Sequence, residues 1–184
     1  MFTITRDIDT RGQVHEAFLK ARAEAELVFP DPLRSTYRAL KLEGIMEAPV
    51  NICIDCDRDR AGPAVIGRTH IRAMDLYSTA CAVQNLWLAA RAEGLGVGWV
   101  SIFDNGTVQR ILKIPKRIVP IAYLCVGQVK GYHERPELEK ASWRERLPIG
   151  SLVHFEEWGR QDTRQDLISQ LERDERDVRE HLWP

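Results

Sequence analysis

Residues 75–103 read DLYSTACAVQNLWLAARAEGLGVGWVSIF, and this stretch carries the strongest structural signal in the chain. Its apolar residues recur at steps of three and four, the spacing of one face of an α-helix. The predicted helix runs from Asp75 to about Glu93, and Gly94 ends it. The glycine-spaced GLGVGWVSIF predicts a loop that enters a short strand. The residues of the apolar face are Ala80, Val83, Leu86, Trp87 and Ala90.

Upstream of this stretch the pattern predicts two strands and two helices. FTITR alternates as a short strand does, and Asp9 or Thr10 can cap a helix that runs to about Phe29. Two prolines end that helix, because proline lacks the amide proton and disfavours helix before it. A second helix is predicted over residues 33–46 and a strand over residues 50–56.

Downstream, Asn105 can cap a short helix through Leu112. Residues 118–126 are apolar almost throughout, as in a strand buried on both faces, and residues 152–158 are a candidate final strand. The highly charged tail carries leucines and a valine at near-heptad spacing. It predicts either a solvated helix or, less favoured, a helix that packs on a partner subunit. The apolar positions of the tail are Leu167, Leu171, Val178 and Leu182.

The length and charge of the chain exclude several protein classes. With 184 residues the chain suits one domain with a sizeable core. Lys and Arg number 26 against 27 Asp and Glu, a net charge of -1, so no global electrostatic argument favours a nucleic-acid partner. No apolar run approaches the roughly 20 residues that span a bilayer. The N-terminus lacks the pattern of a secretion signal, and a cytoplasmic location is expected.

The cysteine and glycine motifs argue against a metal site and a dinucleotide-binding loop. Cys53 and Cys56 form a C-x-x-C, but no second pair or paired histidines complete a metal site, so we predict reduced core thiols and no metal. Gly94, Gly96 and Gly98 follow a helix and open a strand, which is the reverse of the dinucleotide-binding order. Glycines still let a backbone approach a flat ligand closely. The residues alone therefore predict an α/β or α+β domain with a small-ligand site near this loop.

Three segments take the interpretation further. They read YRALKLEGIMEAPVNICIDCDR (residues 37–58), GRTHIRAMDLYSTACAVQNLWLAARAEGLGVGWVSIF (residues 67–103) and ELEKASWRERLP (residues 137–148). Together they resemble the 5,6-dimethylbenzimidazole synthase family, whose fold is that of the nitroreductases, and the resemblance extends over about residues 2–158. It implies an α+β fold in which helices flank a central mixed or antiparallel sheet. We expect a flavin domain over residues 1–159 and a charged helical tail over residues 160–184.

The resemblance implies an unusual oxidoreductase. The family consumes reduced FMN and O2 and converts part of the flavin into dimethylbenzimidazole, the lower ligand of cobalamin. FMN is then substrate as well as cofactor, and a separate flavin reductase is expected to supply it in reduced form. The family forms two-fold dimers with flavin sites between subunits, so a homodimer is implied.

The resemblance also assigns residues to the flavin site. Ser101 matches a serine near the flavin ring that is thought to assist proton transfer or to orient the oxygen adduct, and it is the predicted catalytic residue. Taken without the family, Ser101 would be a strand hydroxyl bonded to backbone. The predicted cofactor-binding residues are Lys41, Leu42, Gly96, Val97, Gly98, Trp99, Ser101, Arg144 and Arg146.

Several of these assignments have plain alternatives. Lys41 would otherwise be a solvated helix charge. Arg144 and Arg146 can give bidentate contacts to the FMN phosphate, or they can be surface arginines. Arg68 and His70 form a loop pair that either covers the pocket or is merely structural or exposed, and the second interpretation is favoured.

The family's opening motifs find no match in the 184 residues. These motifs are an arginine-rich segment that grips the FMN phosphate and carries an aspartate linked to flavin fragmentation, and a later segment that lines the flavin. Each lost charged hydrogen bond weakens binding by about 1.5–3 kcal/mol. We therefore expect this chain alone to be a poor or inactive synthase.

Two other functions remain open from the sequence. One is an FMN-dependent nitroreductase that takes hydride from NADH or NADPH. The other is a non-catalytic remnant of the fold that has kept its dimer interface and lost its active site.

Overall fold

A computed structural model describes residues 1–131, 135–161 and 164–181, with side chains as far as residue 174. The chain divides into two compact units, Met1–Gly131 and Tyr132–Pro184. The division falls earlier than the predicted end of the flavin domain at residue 159, and that boundary stays a prediction. Within the described residues, no helix is long and apolar enough to cross a membrane.

The first unit is a four-stranded antiparallel sheet with helices on both faces. The sheet has the strand order β1-β2-β4-β3. The predicted α+β architecture is confirmed, and the sheet is antiparallel throughout. Its elements are β1 (Phe2–Thr5), α1 (Ile8–Glu26), α2 (Asp31–Ala39), β2 (Val50–Asp57), α3 (Met74–Ala92), β3 (Leu95–Val100), α4 (Asn105–Ile111) and β4 (Ile118–Gln128).

The strand β4 lies between β2 and β3 and is hydrogen-bonded to both. A proline in such a strand removes a ladder hydrogen bond and is tolerated at a bulge. Pro120 lies at one, because the pairing of β2 with β4 shifts between Ile54 and Asp55, where the partners change from Ala122 to Pro120. The irregularity therefore lets the central strand carry its proline.

The two faces of the sheet have separate cores. Helices α1 and α4 pack together over one face, which we call the α1 face, and α3 packs on β2, β3 and β4 over the other, the α3 face. Side chains alternate between faces along a strand, so Tyr123 and Cys125 belong to the first core and Leu124 to the second. The buried residues of the α1 face are Val14, Phe18, Ile45, Cys53, Val100, Val108, Tyr123 and Cys125. Those of the α3 face are Ile54, Val83, Ala122 and Leu124.

The predicted helix over residues 33–46 is too long. Helix α2 ends at Ala39, and Leu40 is already extended, with φ -67° and ψ 134°. The guanidinium of Arg22 donates to the carbonyl oxygens of Arg38 at 2.8 Å and of Leu40 at 3.0 Å. These bonds satisfy the end of the helix from outside, so the chain can leave it there.

Two predicted helix caps are displaced by one or more residues. Asp7, not Asp9 or Thr10, caps α1, since its carboxylate accepts from the Thr10 amide at 2.8 Å. Asp104, not Asn105, caps α4 by accepting from the Thr107 amide at 2.7 Å. In both cases a neighbouring aspartate stands at the correct spacing, and an ionised carboxylate is favoured at a helix N-terminus. Helix α1 also ends at Glu26, earlier than predicted.

The second unit contains α5 (Glu137–Lys140), a 3-10 helix (Ile149–Leu152) and α6 (Gln165–His181). The final strand predicted over residues 152–158 is wrong, because the chain there leaves the 3-10 helix and bends. The tail is helical as predicted, and Ile168 on it is buried. A Cβ added to Gly150 would stand 2.8 Å from the Ile168 side chain, so α6 packs closely on the 3-10 helix. Leu182 lies outside the described residues.

The core of the α1 face predicts a strong effect of Phe18→Ala. Phe18 has no exposed surface, and removing a buried phenylalanine leaves a cavity that costs about 3–5 kcal/mol of unfolding free energy. Leu19→Ala is the matched control, since the adjacent Leu19 is 49% exposed. Denaturant melts should show the large loss for the first variant and less than about 1 kcal/mol for the second. Equal losses would contradict this packing.

Candidate functional site

The glycines predicted to lie in a loop are inside the strand β3. Gly96 pairs with Gly127 and Gly98 pairs with Cys125. Residues opposite each other share a face, so both glycines lie on the α1 face. A Cβ added to Gly98 would meet no atom within 4 Å, whereas one added to Gly96 would collide with the Val129 side chain. The backbone at Gly98 is thus open to a ligand, and that at Gly96 is covered.

The loop of residues 40–49, between α2 and β2, lies over the same face. A Cβ added to Gly44 would be 3.8 Å from the Cβ of Cys125, the residue that pairs with Gly98. Leu42 is partly buried against the core of this face, and Lys41 is exposed. The structure therefore brings this loop and Gly98 to neighbouring positions around Cys125.

The structure gives different positions to the side chains of the other three predicted residues of the β3 region. Val97 pairs with Val126 and Trp99 pairs with Leu124, so both side chains lie on the α3 face, away from Gly98. Only their backbone can contact a ligand on the α1 face. Ser101 follows directly after β3 and is exposed, and its hydroxyl bonds to no described residue. Among the described residues no backbone group bonds to the Ser101 hydroxyl, and the catalytic role of Ser101 stays a prediction.

The one lysine of the loop lies between its two glutamates. Lys41 forms an ion pair with Glu47, and its ammonium lies 4.0 Å from Glu43. The hydrogen bond that Lys41 donates to the Glu47 carboxylate raises the pKa of Lys41 and lowers the pKa of Glu47. The carboxylate of Glu43 also accepts from the Ile45 amide at 2.6 Å and lies 3.8 Å from His15. Lys41 can bind an anionic ligand, but it must then share or leave Glu47.

Arg68 and His70 lie in the connection between β2 and α3. Arg68 donates to the carbonyl oxygen of Arg58 at 2.7 Å and lies 3.4 Å from Asp75, so it ties this connection to the start of α3. His70 is exposed, with Nδ1 3.1 Å from the Thr69 hydroxyl. An open cleft of about 720 Å³ lies here, at the end of the sheet where β2 finishes and β4 begins. The loop of residues 40–49 enters β2 at the other end.

Arg144 and Arg146 belong to the second unit and are exposed there. The guanidinium of Arg146 lies 3.5 Å from Glu139, at the start of the same segment. Arg144 forms no ion pair with a described residue. Both guanidinium groups therefore remain accessible within their unit.

The cysteines divide into three buried thiols and one exposed thiol. Cys53, Cys56 and Cys125 are buried, whereas Cys81 on α3 is exposed, so the prediction of core thiols is wrong for Cys81. Burial raises the pKa of Cys125 to about 11. Burial, followed by the neighbouring Asp55, raises the pKa of Cys53 above its usual range. Among the described residues no group of three or more His, Cys, Asp or Glu could hold a metal ion.

Two buried residues of this face were missed by the sequence interpretation. Arg11 is 8% exposed and donates to the carbonyl oxygen of Ala48. Asn51 has no exposed surface, and its Nδ2 donates to the carbonyl oxygen of Ile45 at 2.9 Å. The available signal was Asn51 itself, a polar residue between the apolar Val50 and Ile52 near the start of β2. Arg11 carried no signal, because one arginine near a helix N-terminus is ordinary.

Comparison with protein families identifies the family to which this architecture belongs. The family described as "Nitroreductase family" matches residues 3–128, which include the whole sheet and the loop of residues 40–49. The chain belongs to the nitroreductase family. The family resemblance read from the sequence is confirmed at this level, and the antiparallel sheet between helices is the nitroreductase architecture.

Two curated relatives show which members of the nitroreductase family the chain is similar to. Over 138 residues the chain is 39% identical to 5,6-dimethylbenzimidazole synthase of Rhodospirillum rubrum, covering 75% of this chain and 65% of that protein. It is 38% identical to the enzyme of the same name from Rhodobacter capsulatus, covering 75% of this chain and 67% of that one. The chain thus spans about two thirds of the length of these relatives.

Solved structures agree on the fold. Iodotyrosine deiodinase bound to FMN and 3-iodo-L-tyrosine superposes with a TM-score of 0.62 at 17% identity, over 86% of this chain and 76% of that one. NADPH:FMN oxidoreductase from Vibrio harveyi, complexed with NAD+, gives 0.57 at 14% identity, over 97% and 66%. At such low identity these structures support the nitroreductase fold alone.

The burial of the thiols predicts their reactivity. At pH 8 a thiol reagent should modify one cysteine of the native protein, Cys81, and four after denaturation. The three others are protected by burial, and the raised pKa of Cys53 and Cys125 leaves them protonated. Because a raised folded pKa favours the protonated form, this protection persists above the pKa of an unfolded thiol and weakens as pH rises through the folded pKa, which is about 11 for Cys125. Cys81→Ser is the control and should leave no fast-reacting thiol.

Proposed function

We propose that this nitroreductase-family chain is an oxidoreductase of the 5,6-dimethylbenzimidazole synthase type. It acts on reduced FMN and O2 and yields dimethylbenzimidazole. The observation that carries the proposal is the 39% and 38% identity to synthases of two organisms over 138 residues. This alignment covers three quarters of the chain, and its identity far exceeds that to the solved nitroreductase-fold structures.

The α1 face fits a flavin. The open backbone at Gly98 gives a flat ring a place to lie without a side chain in the way. Leu42 offers an apolar contact and Lys41 a cation from the facing loop, where a charge near the ring tunes its electronics. The backbone of Val97 and Trp99 flanks Gly98 beneath the ligand, and Gly96 can join them only where the Val129 side chain moves aside.

Bound reduced FMN supplies the electrons for O2 and, in this reaction, the carbon framework of the product. The chain's own residues bind and orient it. The exposed hydroxyl of Ser101 follows directly after β3, three residues beyond Gly98, and can donate or accept a proton if the ligand extends to it. The guanidinium groups of Arg144 and Arg146 suit a phosphate, since each can form two parallel hydrogen bonds with it. This role requires the two arginines to reach the FMN phosphate.

The same proposal includes the partners of the enzyme. Reduced FMN must come from a flavin reductase, which fits a cytoplasmic enzyme that does not bind a nicotinamide itself. A homodimer fits the exposed apolar side chains of α3 and β3, namely Tyr77, Leu88 and Trp99, because aromatic groups are enriched at protein interfaces.

The first experiment titrates the purified chain with FMN and follows flavin fluorescence. Reduced FMN is then mixed with the chain in air, and dimethylbenzimidazole is measured. Saturable binding followed by product supports the proposal. Binding followed by oxidation of NADPH without product would establish the ordinary nitroreductase alternative. A chain that melts cooperatively yet binds no flavin would support a non-catalytic remnant. The titration also measures the weak binding expected from the unmatched family motifs.

Replacing Ser101 tests the predicted catalytic role. Ser101→Ala should lower the rate of dimethylbenzimidazole formation by about 10²-fold or more, the typical contribution of a positioned proton donor. FMN affinity should change by less than about threefold, because a single neutral hydrogen bond contributes little to binding. Ser35→Ala, at an exposed serine of α2, is the control and should leave both quantities unchanged. A Ser101→Ala variant with full product formation would refute the assignment.

The two arginines of the second unit are tested with a pair of ligands. FMN and riboflavin differ by the phosphate, so the double variant Arg144→Met/Arg146→Met should lose about tenfold or more in FMN affinity and keep its riboflavin affinity. Arg160→Met, at another exposed arginine of the same unit, is the control. Equal losses for both ligands would show that the arginines do not bind the phosphate.

A further inference from the structure

The loop of residues 40–49 has no helix or strand of its own, yet side chains from other elements hold its backbone at three points. The loop matters because Lys41 and Leu42 lie at its start. The inference that follows rests on the proposed function, since it takes this loop as one wall of the flavin site.

The first point is the entry of the loop. One terminal nitrogen of Arg22, on α1, lies 2.8 Å from the carbonyl oxygen of Arg38 and 3.0 Å from that of Leu40. The same guanidinium lies 5.9 Å from the ring centres of Phe18 and Tyr37. Arg22 is therefore fixed between two aromatic rings while it binds the backbone just before Lys41.

The second point is the middle of the loop. Asn51 is fully buried, and its Nδ2 donates to the carbonyl oxygen of Ile45 at 2.9 Å. Its Oδ1 has no hydrogen-bond partner among the described residues. A half-satisfied buried amide is costly, and an apolar residue of similar size would avoid that cost. The feature that distinguishes asparagine here is its bond to the loop.

The third point is the end of the loop. Arg11 is buried on the α1 face and donates to the carbonyl oxygen of Ala48, while its Nε has no described partner. No carboxylate of the described residues lies within ion-pairing distance of it. Hydrogen bonds from Thr10 lower the pKa of Asp7, and the charge of Arg11 adds to this effect, but Asp7 and Arg11 are not in ion-pair contact. An arginine stays charged in proteins, so its burial without a contacting carboxylate among the described residues opposes stability. Arg11 and Asn51 thus share the same pattern, a costly buried polar group whose one bond goes to this loop.

We propose that Arg11, Arg22 and Asn51 are positioning residues for the flavin site. By donating to carbonyl oxygens at the start, middle and end of the loop, they hold it in the conformation that presents Leu42 and Lys41 beside Gly98. Each acts on the ligand only through the loop. Preorganising a binding loop raises affinity, because the ligand then does not have to order it.

The test compares Asn51→Leu with Gln109→Met. Gln109 is the matched control, since its side-chain amide also donates to a backbone carbonyl oxygen, that of Ile118 at 2.6 Å, away from the loop. Asn51→Leu should speed hydrogen exchange of the amides of residues 41–48 by about tenfold, the effect of one lost hydrogen bond. Gln109→Met should affect only the amides around residues 112–118.

The flavin measurement separates positioning from stability. Asn51→Leu should raise the FMN dissociation constant and the KM for reduced FMN by about tenfold, with kcat changed by less than about threefold. Gln109→Met should leave all three unchanged even where its loss of thermal stability is equal. If Asn51→Leu does not fold, Arg22→Met, at a half-exposed residue, takes its place with the same expected result.

Each outcome decides a separate claim. Faster loop exchange with unchanged FMN affinity would overturn the positioning role, and unchanged exchange would show that Asn51 does not hold the loop. If the unmodified chain binds no FMN, the proposed function fails. The exchange measurement needs no ligand, and it then decides alone whether the three residues hold the loop.

Discussion

The candidate site depends on the central strand β4, which is paired along both edges and covered on both faces. Cys125 of β4 illustrates the consequence. It pairs with Gly98 on one side, belongs to the core beneath α1, and lies under Gly44 of the loop. One strand thus fixes the floor of the site and the position of its facing wall. Because such a strand has no free edge and no exposed face, its position is among the least adjustable in the fold.

Buried polar groups connect the α1 face, where the strand β4 forms the floor of the site, to the loop of residues 40–49. The face contains Arg11, Asn51 and the hydroxyl of Tyr123, each with an atom that lacks a described partner. Burial raises the pKa of Tyr123 above its usual range, so its hydroxyl stays neutral. Such groups reduce stability relative to an apolar core, and their accumulation beneath one irregular loop is understandable if the loop has to be held in a defined conformation. On the opposite face, α3 packs over the buried residues Ile54, Val83, Ala122 and Leu124.

The sequence predicted those elements whose own periodicity decides their structure. The helix α3 and the strand β4 are of this kind, since their apolar spacing alone indicates buried faces. The errors lie where distant residues decide. Leu40 and Ile45 continue an apparent helical pattern, but Arg22 terminates α2 and Asn51 draws the following segment into a loop. The first interaction joins residues 18 positions apart, and the second depends on the burial of Asn51, so neither is visible in the local apolar pattern.

The sequence predicted only part of the candidate site, again because contacts outside the local segment decide the rest. A family resemblance indicates which segments approach a ligand, but the direction of each side chain follows from strand pairing. Val97 and Trp99 therefore belong to the predicted segment and yet point to the α3 face, while Gly98 between them is open on the other. The register with β4 sets this alternation, and a shift by one residue would reverse it.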